Sequence, residues 1–349
     1  MWASNTCSLF SRKSKNDTDF VIISYGMLSH VDYHKFNAII FDESHYLKNI
    51  KTSRTKTAIR VSRHIPNKIL LSGSSILNCP VELVPQIEIL GMMNVFGSKA
   101  IFLERYCLNG VSNFGIDYTA AHKLGELHRK LTEIGFIRRL KKDVLHELSS
   151  KIHTIIPINL DNRKTYNRIA SKPHNNWLIQ ENKLRQACAI GKIKRGLDFI
   201  SSLGDTPVVI FCRHVSVGKS ISEELKCPFI YGETTMMNRQ MYVQEFQKGQ
   251  HQYIVLSMEV AGIGFTLTRS HNVVFFEYPW SSEVLKQCID RCHRIGQTMP
   301  VNIWYLFGKD TIDTTSICRI SHKHTTCEAV NEGNYRTQNL LQILIEESG

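Results

Sequence analysis

The sequence is short of several things. Its 349 residues include only 9 prolines and no low-complexity stretch, and 42% of them are hydrophobic, a composition that excludes a disordered chain. No apolar run approaches the roughly 18 residues that a membrane-spanning helix needs, so no such span is expected. The opening MWASNTCSLFSRKSKND lacks the apolar core of about 7–15 residues that marks a secretory leader. There are 10 cysteines but no C-x-x-C pair, and Cys212, inside VVIFC, reads as a small buried hydrophobe. A reducing, intracellular setting is expected on that basis. Acidic residues are in deficit: 31 Asp+Glu against 43 Lys+Arg leave a formal charge of +12. That balance suits a polyanionic partner, nucleic acid first. No G-x-S-x-G nucleophile elbow is present, so nucleophilic hydrolase chemistry has no support.

Two series of short β-branched runs are present. The first is VIISY (Val21–Tyr25), AIIF (Ala38–Phe41) and KILLSGS (Lys68–Ser74). The second is VVIFC (Val208–Cys212), FIYG (Phe229–Gly232), YIVLS (Tyr253–Ser257), NVVFFEY (Asn272–Tyr278) and VNIWYLF (Val301–Phe307). Continuous apolar runs of this length suit strands covered on both faces, and helix-like stretches separate them. The class predicted is α/β, two lobes with parallel sheets. Between them, residues 81–200 read as mostly helical; Leu124, Leu127, Leu131 and Ile134 mark one helix face. LSSKIHTIIPINLDN (Leu148–Asn162) is the best linker.

AIIFDESH places Asp42 and Glu43 directly after a buried strand, where ligands bind in open parallel sheets. One carboxylate there can hold Mg2+ on nucleotide phosphates while its neighbour polarises water. The same pair also reads as a solvent-facing loop. Ser72, Gly73, Ser74 and Ser75 end the third run; they allow close backbone approach, or make an ordinary turn. In SSEVLKQCIDRCHRIGQ, with Ser281 or Ser282 as N-cap, Gln287, Arg291 and Arg294 fall four and three apart on one face of an expected helix. Val284, Cys288, Cys292 and Ile295 form the adjoining apolar stripe. The arginines can stabilise charge on a transferred phosphoryl group, or form a basic face paired with Asp290 and Glu283. Gly262 and Gly264 allow a tight turn, Thr266 offers a hydroxyl, and Arg138, Arg139, Lys141 and Lys142 form a basic cluster able to track phosphates or simply face water.

Taken in order, VIISYGML, FDESHYLKN, LSGSSILN, FIRRLKKDVL, VVIFCRH, YGETTMMNRQ, VLSMEVAGIGFTLT, FFEYPW and QCIDRCHRIGQ resemble the SWI/SNF-type superfamily-two helicase-like ATPases. The DESH variant and VNIWYLF resemble the annealing, fork-remodelling subgroup. The resemblance covers about Val21 to Asp313. It implies two RecA-like lobes, the first truncated, with a helical insertion: residues 1–80, 81–190 for insertion and linker, 191–315 for the second lobe, and 316–349 as a tail. It implies ATP and Mg2+ as cofactors, with Asp42 on the metal and Glu43 activating water. Arg291 and Arg294 match the arginines that reach ATP. Ser72, Gly73 and Ser74 match the motif coupling nucleotide state to lobe movement, although the family usually has Thr at position 74 and Pro at position 75. Gly262, Gly264 and Gln287 match neighbouring positions, and Arg213, His214, Ser257 and Thr266 fall where the family contacts DNA. Duplex or forked DNA is the implied partner, and the nucleus the implied location in a eukaryote.

Such a motor also needs a phosphate loop, G-x-x-x-x-G-K-S/T, before its carboxylates. None precedes Asp42, and the first glycine is Gly26. A separately encoded N-terminal half, a shortened gene and a non-catalytic DNA- or partner-binding remnant all accommodate this. VVIFCRHVSVGKS imitates the loop but has Arg213 in place of its leading glycine. Cys318, His322, His324 and Cys327 have zinc-binding side chains at a non-standard spacing. Trp177, Trp280 and Trp304 read as packing residues rather than base-stacking platforms.

Overall fold

The structure, a computed structural model, describes residues 7–9, 18–112, 115–172, 174, 176–262 and 264–332. They divide into two compact units. One runs to Arg138 and regains the chain at Thr326; the other spans Arg139 to Thr325.

In the first unit, β1 (Cys7–Leu9) pairs in parallel with β2 (Phe20–Ile22), and β3 (Ala38–Phe41) in parallel with β4 (Asn67–Leu70). The VIISY run is strand only at its start; Tyr25–His30 is a 3-10 turn. Helix α1 (Ser53–Ser62) starts at Thr52, whose side chain accepts from Thr55 N–H, and buries Ala58, Ile59 and Val61 in a core with Phe41, Leu47 and Ile65. The opposite face of the β3–β4 pair leaves Ile40 and Ile69 more than half exposed. Three helices follow, α2 (Val84–Leu90), α3 (Lys99–Tyr106) and α4 (Leu124–Glu133), with the hairpin β5 (Gly110–Ser112) and β6 (Gly115–Asp117) before the last. The predicted stripe is real: Leu124, Leu127 and Leu131 are buried beside Phe102 and Tyr106, with Ile134 packed on that cluster.

The second unit opens with the single turn α5 (Lys141–Val144), then β7 (Lys151–Ile158), α6 (Arg163–Ala170) and the long α7 (Trp177–Ser202). Next come β8 (Val208–Cys212), α8 (Val215–Leu225), β9 (Phe229–Ile230), α9 (Met236–Gln247) and β10 (Tyr253–Ser257). β11 (Asn272–Phe275), α10 (Ser282–Ile289), β12 (Val301–Gly308) and α11 (Ile312–Glu332) complete it. Six parallel strands lie in the order β7-β12-β11-β8-β10-β9.

The apolar runs are continuous because both faces are covered. Val209 and Phe211 enter one core with Ile254, Leu256, Val273 and Phe275, while Val208, Ile210 and Cys212 enter the other with Val255 and Val274. Phe211, Phe275 and Tyr305 stack across three neighbouring strands at centroid spacings of 5.4 and 5.5 Å. This α/β arrangement with parallel sheets is the class the sequence predicts.

The expected linker is not one. β7 lies within it and pairs with β12 over eight residues, from Lys151↔Val301 to Ile158↔Gly308. Its β-branched residues make a strand at the sheet edge, where Pro157 lacks no ladder partner. Chain order reverses across β8 and β11: the connection after β8 leads to one side of the sheet and that after β11 to the other. The carboxyl ends of these two strands therefore flank the topological switch point.

Candidate active site

In the first unit, Asp42 follows β3 and is exposed. Its Oδ1 accepts the Glu43 N–H at 3.0 Å, and its backbone carbonyl accepts the Tyr25 hydroxyl at 2.6 Å. Burial, reinforced by Asp42 and Glu43, pushes that phenol up to about 12, so it stays a donor. Glu43 sits at φ 49, ψ 50, a left-handed backbone that glutamate adopts rarely. Such strain, of order 1–3 kcal/mol, gathers at functional sites. Ser44 N–H donates to Leu71 O at 2.8 Å, tying this turn to the end of β4.

Glu43 Oε2 and Ser72 Oγ each lie 3.1 Å from His45 Nδ1. Ser72 Oγ–H donates to Ser74 O at 2.6 Å, so the imidazole Nδ1–H is the donor toward Ser72. Burial lowers the His45 pKa although Glu43 acts to raise it, which keeps the ring neutral. A second bridge runs from Ser44 Oγ to Gln86 Oε1 at 3.3 Å and from Gln86 Nε2 to Ser75 O at 2.6 Å. Arg138 donates to Gly73 O. Asn331, on the last turn of α11, donates to Ser74 Oγ at 3.2 Å and accepts from Ser75 Oγ at 2.6 Å. The DES turn and the serine loop are thus tied together by hydrogen bonds. Asp42 is a hard oxygen donor at its rim, which fits Mg2+ held by one carboxylate and nucleotide phosphates.

In the second unit, Ser281 is the N-cap of α10, its side chain accepting from Val284 N–H, but the helix ends at Ile289. Arg291 and Arg294 lie in successive turns, with Arg291 N–H on Cys288 O and Gln297 N–H on Arg294 O. The expected single helix face for Gln287, Arg291 and Arg294 is therefore absent. The apolar stripe stops with it: Cys288 and Cys292 are fully buried, but Ile295 is 76% exposed. Arg294 Nη1 donates to Phe265 O at 3.1 Å and Leu267 N–H to Arg291 O at 2.9 Å, fixing both arginines to the loop after β10. Asp290 pairs with Lys141 at 2.7 Å, and Lys141 also donates to His293 O, so this member of the basic cluster grips the arginine turns. On the loop itself Gly262 and Thr266 are exposed, and a Cβ at Gly264 would meet nothing within 4 Å. Ser257, at the end of β10, is 2% exposed.

Arg213 and His214 follow β8. Their backbone N–H groups donate to Glu277 Oε2 at 2.8 and 2.9 Å, and His214 Nδ1 meets Glu277 Oε1. Burial alone would raise the Glu277 carboxyl, but these partners outweigh it and hold it below the usual range. Sequence reasoning missed Glu277; the signal available was a lone acid directly after the buried run VVFF. It also missed Gln297, 6% exposed, whose Nε2 donates to Thr268 O and Ser270 O. The imitation phosphate loop is helix: Gly218, Lys219 and Ser220 lie within α8, and a Cβ at Gly218 would come within 2.3 Å of Phe229 and 2.7 Å of Cys212 Sγ. That glycine is present for close helix–sheet approach. On α11, Cys318 and Cys327 are nine residues apart, about 13 Å along the axis, too far to share an ion. The side chains of His322 and His324 lie outside the described residues, among which no group of three metal-ligating side chains occurs. Trp304 is a packing residue, edge-on to Phe199, but Trp177 is 60% exposed.

The family description "SNF2-related domain" matches residues 4–203 and "Helicase conserved C-terminal domain" matches residues 191–296, and the chain belongs to the SNF2-related family. It is 34% identical over 325 residues to the SWI/SNF-related matrix-associated actin-dependent regulator of chromatin subfamily A-like protein 1 of Xenopus laevis, covering 86% of this chain and 34% of that protein. It is 31% identical over 327 residues to the human DNA annealing helicase and endonuclease ZRANB3, covering 84% of this chain and 30% of that one. The chain thus spans about a third of the length of these relatives. Among solved structures it is similar to the Sulfolobus solfataricus SWI2/SNF2 ATPase core in complex with dsDNA, at 23% identity and a TM-score of 0.42, covering 95% of this chain and 78% of that one. No helix among the described residues is long and apolar enough to cross a membrane.

Proposed function

We propose that the chain carries the metal-binding and arginine elements of an ATP-driven translocase that remodels or anneals duplex or forked DNA, in the nucleus if the source is eukaryotic. The observation that carries this is the position of Asp42 and Glu43 at the carboxyl end of parallel strand β3, in a turn that Ser44 ties to the end of β4 and His45 ties to Ser72 of the serine loop. Mg2+, when bound with ATP, supplies charge neutralisation at the phosphates. Asp42 would hold it, and Glu43 would orient and polarise water. Arg291 and Arg294 would stabilise charge on the phosphoryl group, a contribution of about 10³–10⁵ in rate where such arginines act. Arg213, His214 and Thr266 would serve DNA engagement, whereas Ser257, expected there from the resemblance, is buried beneath that surface, and the backbone amides and carbonyls of Gly262 and Gly264 can approach a ligand closely.

These 349 residues contain no G-x-x-x-x-G-K-S/T loop. That favours a chain that binds DNA without turning over ATP by itself. Purified alone, it should show no DNA-stimulated ATP hydrolysis above a Glu43→Gln control, and robust turnover would overturn that part. It should bind duplex DNA with an affinity that falls steeply as salt rises, since phosphate contacts release counterions. Equal retention on DNA at low and high salt would overturn the nucleic-acid reading.

A further inference from the structure

The second unit holds an aromatic and cationic cluster that the ATP chemistry does not use. At its centre is Trp280, just past β11. The Arg185 guanidinium lies 4.2 Å from the centre of its indole, Arg213 4.5 Å and Arg319 5.5 Å. Arg319 is also 5.8 Å from the ring of Trp177. All four distances fall within cation–π range. The four elements involved are the start of α7, the turns after β8 and β11, and α11. On α7, Trp177, Glu181 and Arg185 recur every four residues and share one face.

The cluster is built, not incidental. Glu181, 4% exposed, accepts from Arg185 at 2.8 and 3.1 Å and from Arg319 at 2.6 Å, holding both guanidinium planes. Glu277 fixes the turn that carries Arg213, and His214 Nε2 meets Asn182 Oδ1 at 3.2 Å, joining that turn to α7. Three arginines face the buried carboxylates of Glu181 and Glu277 and the exposed one of Glu259, and the exposed Lys183 leaves the group one positive charge in surplus. Arg213 Nη1 is buried yet makes no hydrogen bond among the described residues. The cluster stands at the switch point between β8 and β11, the default ligand position of a parallel sheet. Trp177 ends the series with its indole 60% exposed, an expensive display for the largest apolar side chain, and Leu178 beside it is 51% exposed.

The geometry points to a stacking platform for single-stranded nucleic acid: Trp177, backed by Arg319 and Trp280, takes the face of one unpaired base while the surrounding cations draw in its phosphates. Internal base pairs of a duplex already stack on each other and offer no free face, so along a strand this surface selects an unpaired nucleotide, as at a fork. The inference rests on the nucleic-acid reading above and sharpens it to a substrate with a single-stranded part.

The test is binding of the full chain, by fluorescence anisotropy, to oligodeoxythymidylate of about 20 nucleotides and to a blunt duplex, with Trp177→Ala and Trp177→Phe variants. Stacking on one aromatic residue predicts that Trp177→Ala binds the oligothymidylate about 10-fold more weakly or worse. Trp177→Phe recovers part of the loss, and duplex binding changes less than twofold. Oligothymidylate should also quench tryptophan emission in the wild type and fail to do so in Trp177→Ala. Unchanged oligothymidylate affinity in Trp177→Ala, with duplex binding intact, overturns the platform alone. Absence of salt-sensitive binding to either DNA overturns the nucleic-acid reading with it. An equal loss toward heparin means that charge, not stacking, was removed, and also overturns it. Quenching of Trp177 by a proline-rich peptide but not by oligothymidylate assigns the surface to protein instead.

Discussion

Replacing Glu277 with alanine is expected to be among the most damaging single changes in the second unit. One carboxylate, 4% exposed, accepts two backbone N–H groups at 2.8 and 2.9 Å and the His214 imidazole. Alanine would leave all three donors without it at a largely buried site. Hydrogen bonds to a charged group contribute about 1.5–3 kcal/mol each, but they share one acceptor and do not simply add. A total of about 3–5 kcal/mol, the cost typical of breaking a buried ionic contact, is the expected loss. For a domain of roughly 150–250 residues each kcal/mol moves Tm by about 2–4 °C, so a fall of about 6–20 °C is expected. Glu277→Gln, which retains one carbonyl oxygen for the backbone donors, should lose less than half of this. Calorimetry of wild type and both variants measures the difference. The sign with pH follows from the lowered folded pKa. The stabilisation is intact above the unfolded value of about 4.3 and drains away as pH falls through the lower folded value. A loss under about 1 kcal/mol at pH 7, or one that persists unchanged into strong acid, would refute the reasoning.

Two further expectations concern packing and charge. Gly218→Ala forces a methyl group against Phe229 and Cys212 and should destabilise by about 1–3 kcal/mol while leaving DNA affinity unchanged; a selective loss of nucleotide or DNA binding in a normally stable variant would instead give this glycine a ligand role. Asp313→Ala strands Lys192, fully buried and bonded to that carboxylate at 2.8 Å, and should cost about 3–5 kcal/mol in chemical denaturation, most of it recovered when Lys192→Met is added. If the double variant is no more stable than Asp313→Ala, the stranded charge is not the source of the loss.

What could be read from the sequence follows how much of each element's environment was local. VVIFC and NVVF are legible because both faces of β8 and β11 are covered, which makes the run uniformly apolar. KIHTIIPI hid as a linker because an edge strand is half-wetted and can carry a lysine, a histidine and a proline. The stop of α10 at Ile289 was invisible because neither glycine nor proline marks it; the first glycine, Gly296, comes two turns later. Asp42 and Glu43 are legible from their strand end, but the bonds that hold the adjoining Ser44 and the serine loop come from Gln86 and Asn331, the latter 256 and 257 residues from the serines it meets. Glu277 could have been suspected from its place after VVFF, whereas the exposure of Trp177 depends on where α11 and the turn after β11 lie, which no local pattern records.

The last turns of α11 bear on how the polypeptide comes off the ribosome. Cys327, Ala329 and Val330 are buried in the same cluster as Phe102, Tyr106 and Leu127, and Val330 O receives the His128 ring. The first unit is therefore unfinished until residues 326–332 have been synthesised. The chain's growth cannot be a simple head-first sequence of independently folding parts, and an interruption of translation after residue 325 would release a second unit with most of its contacts but a first unit whose core has a gap.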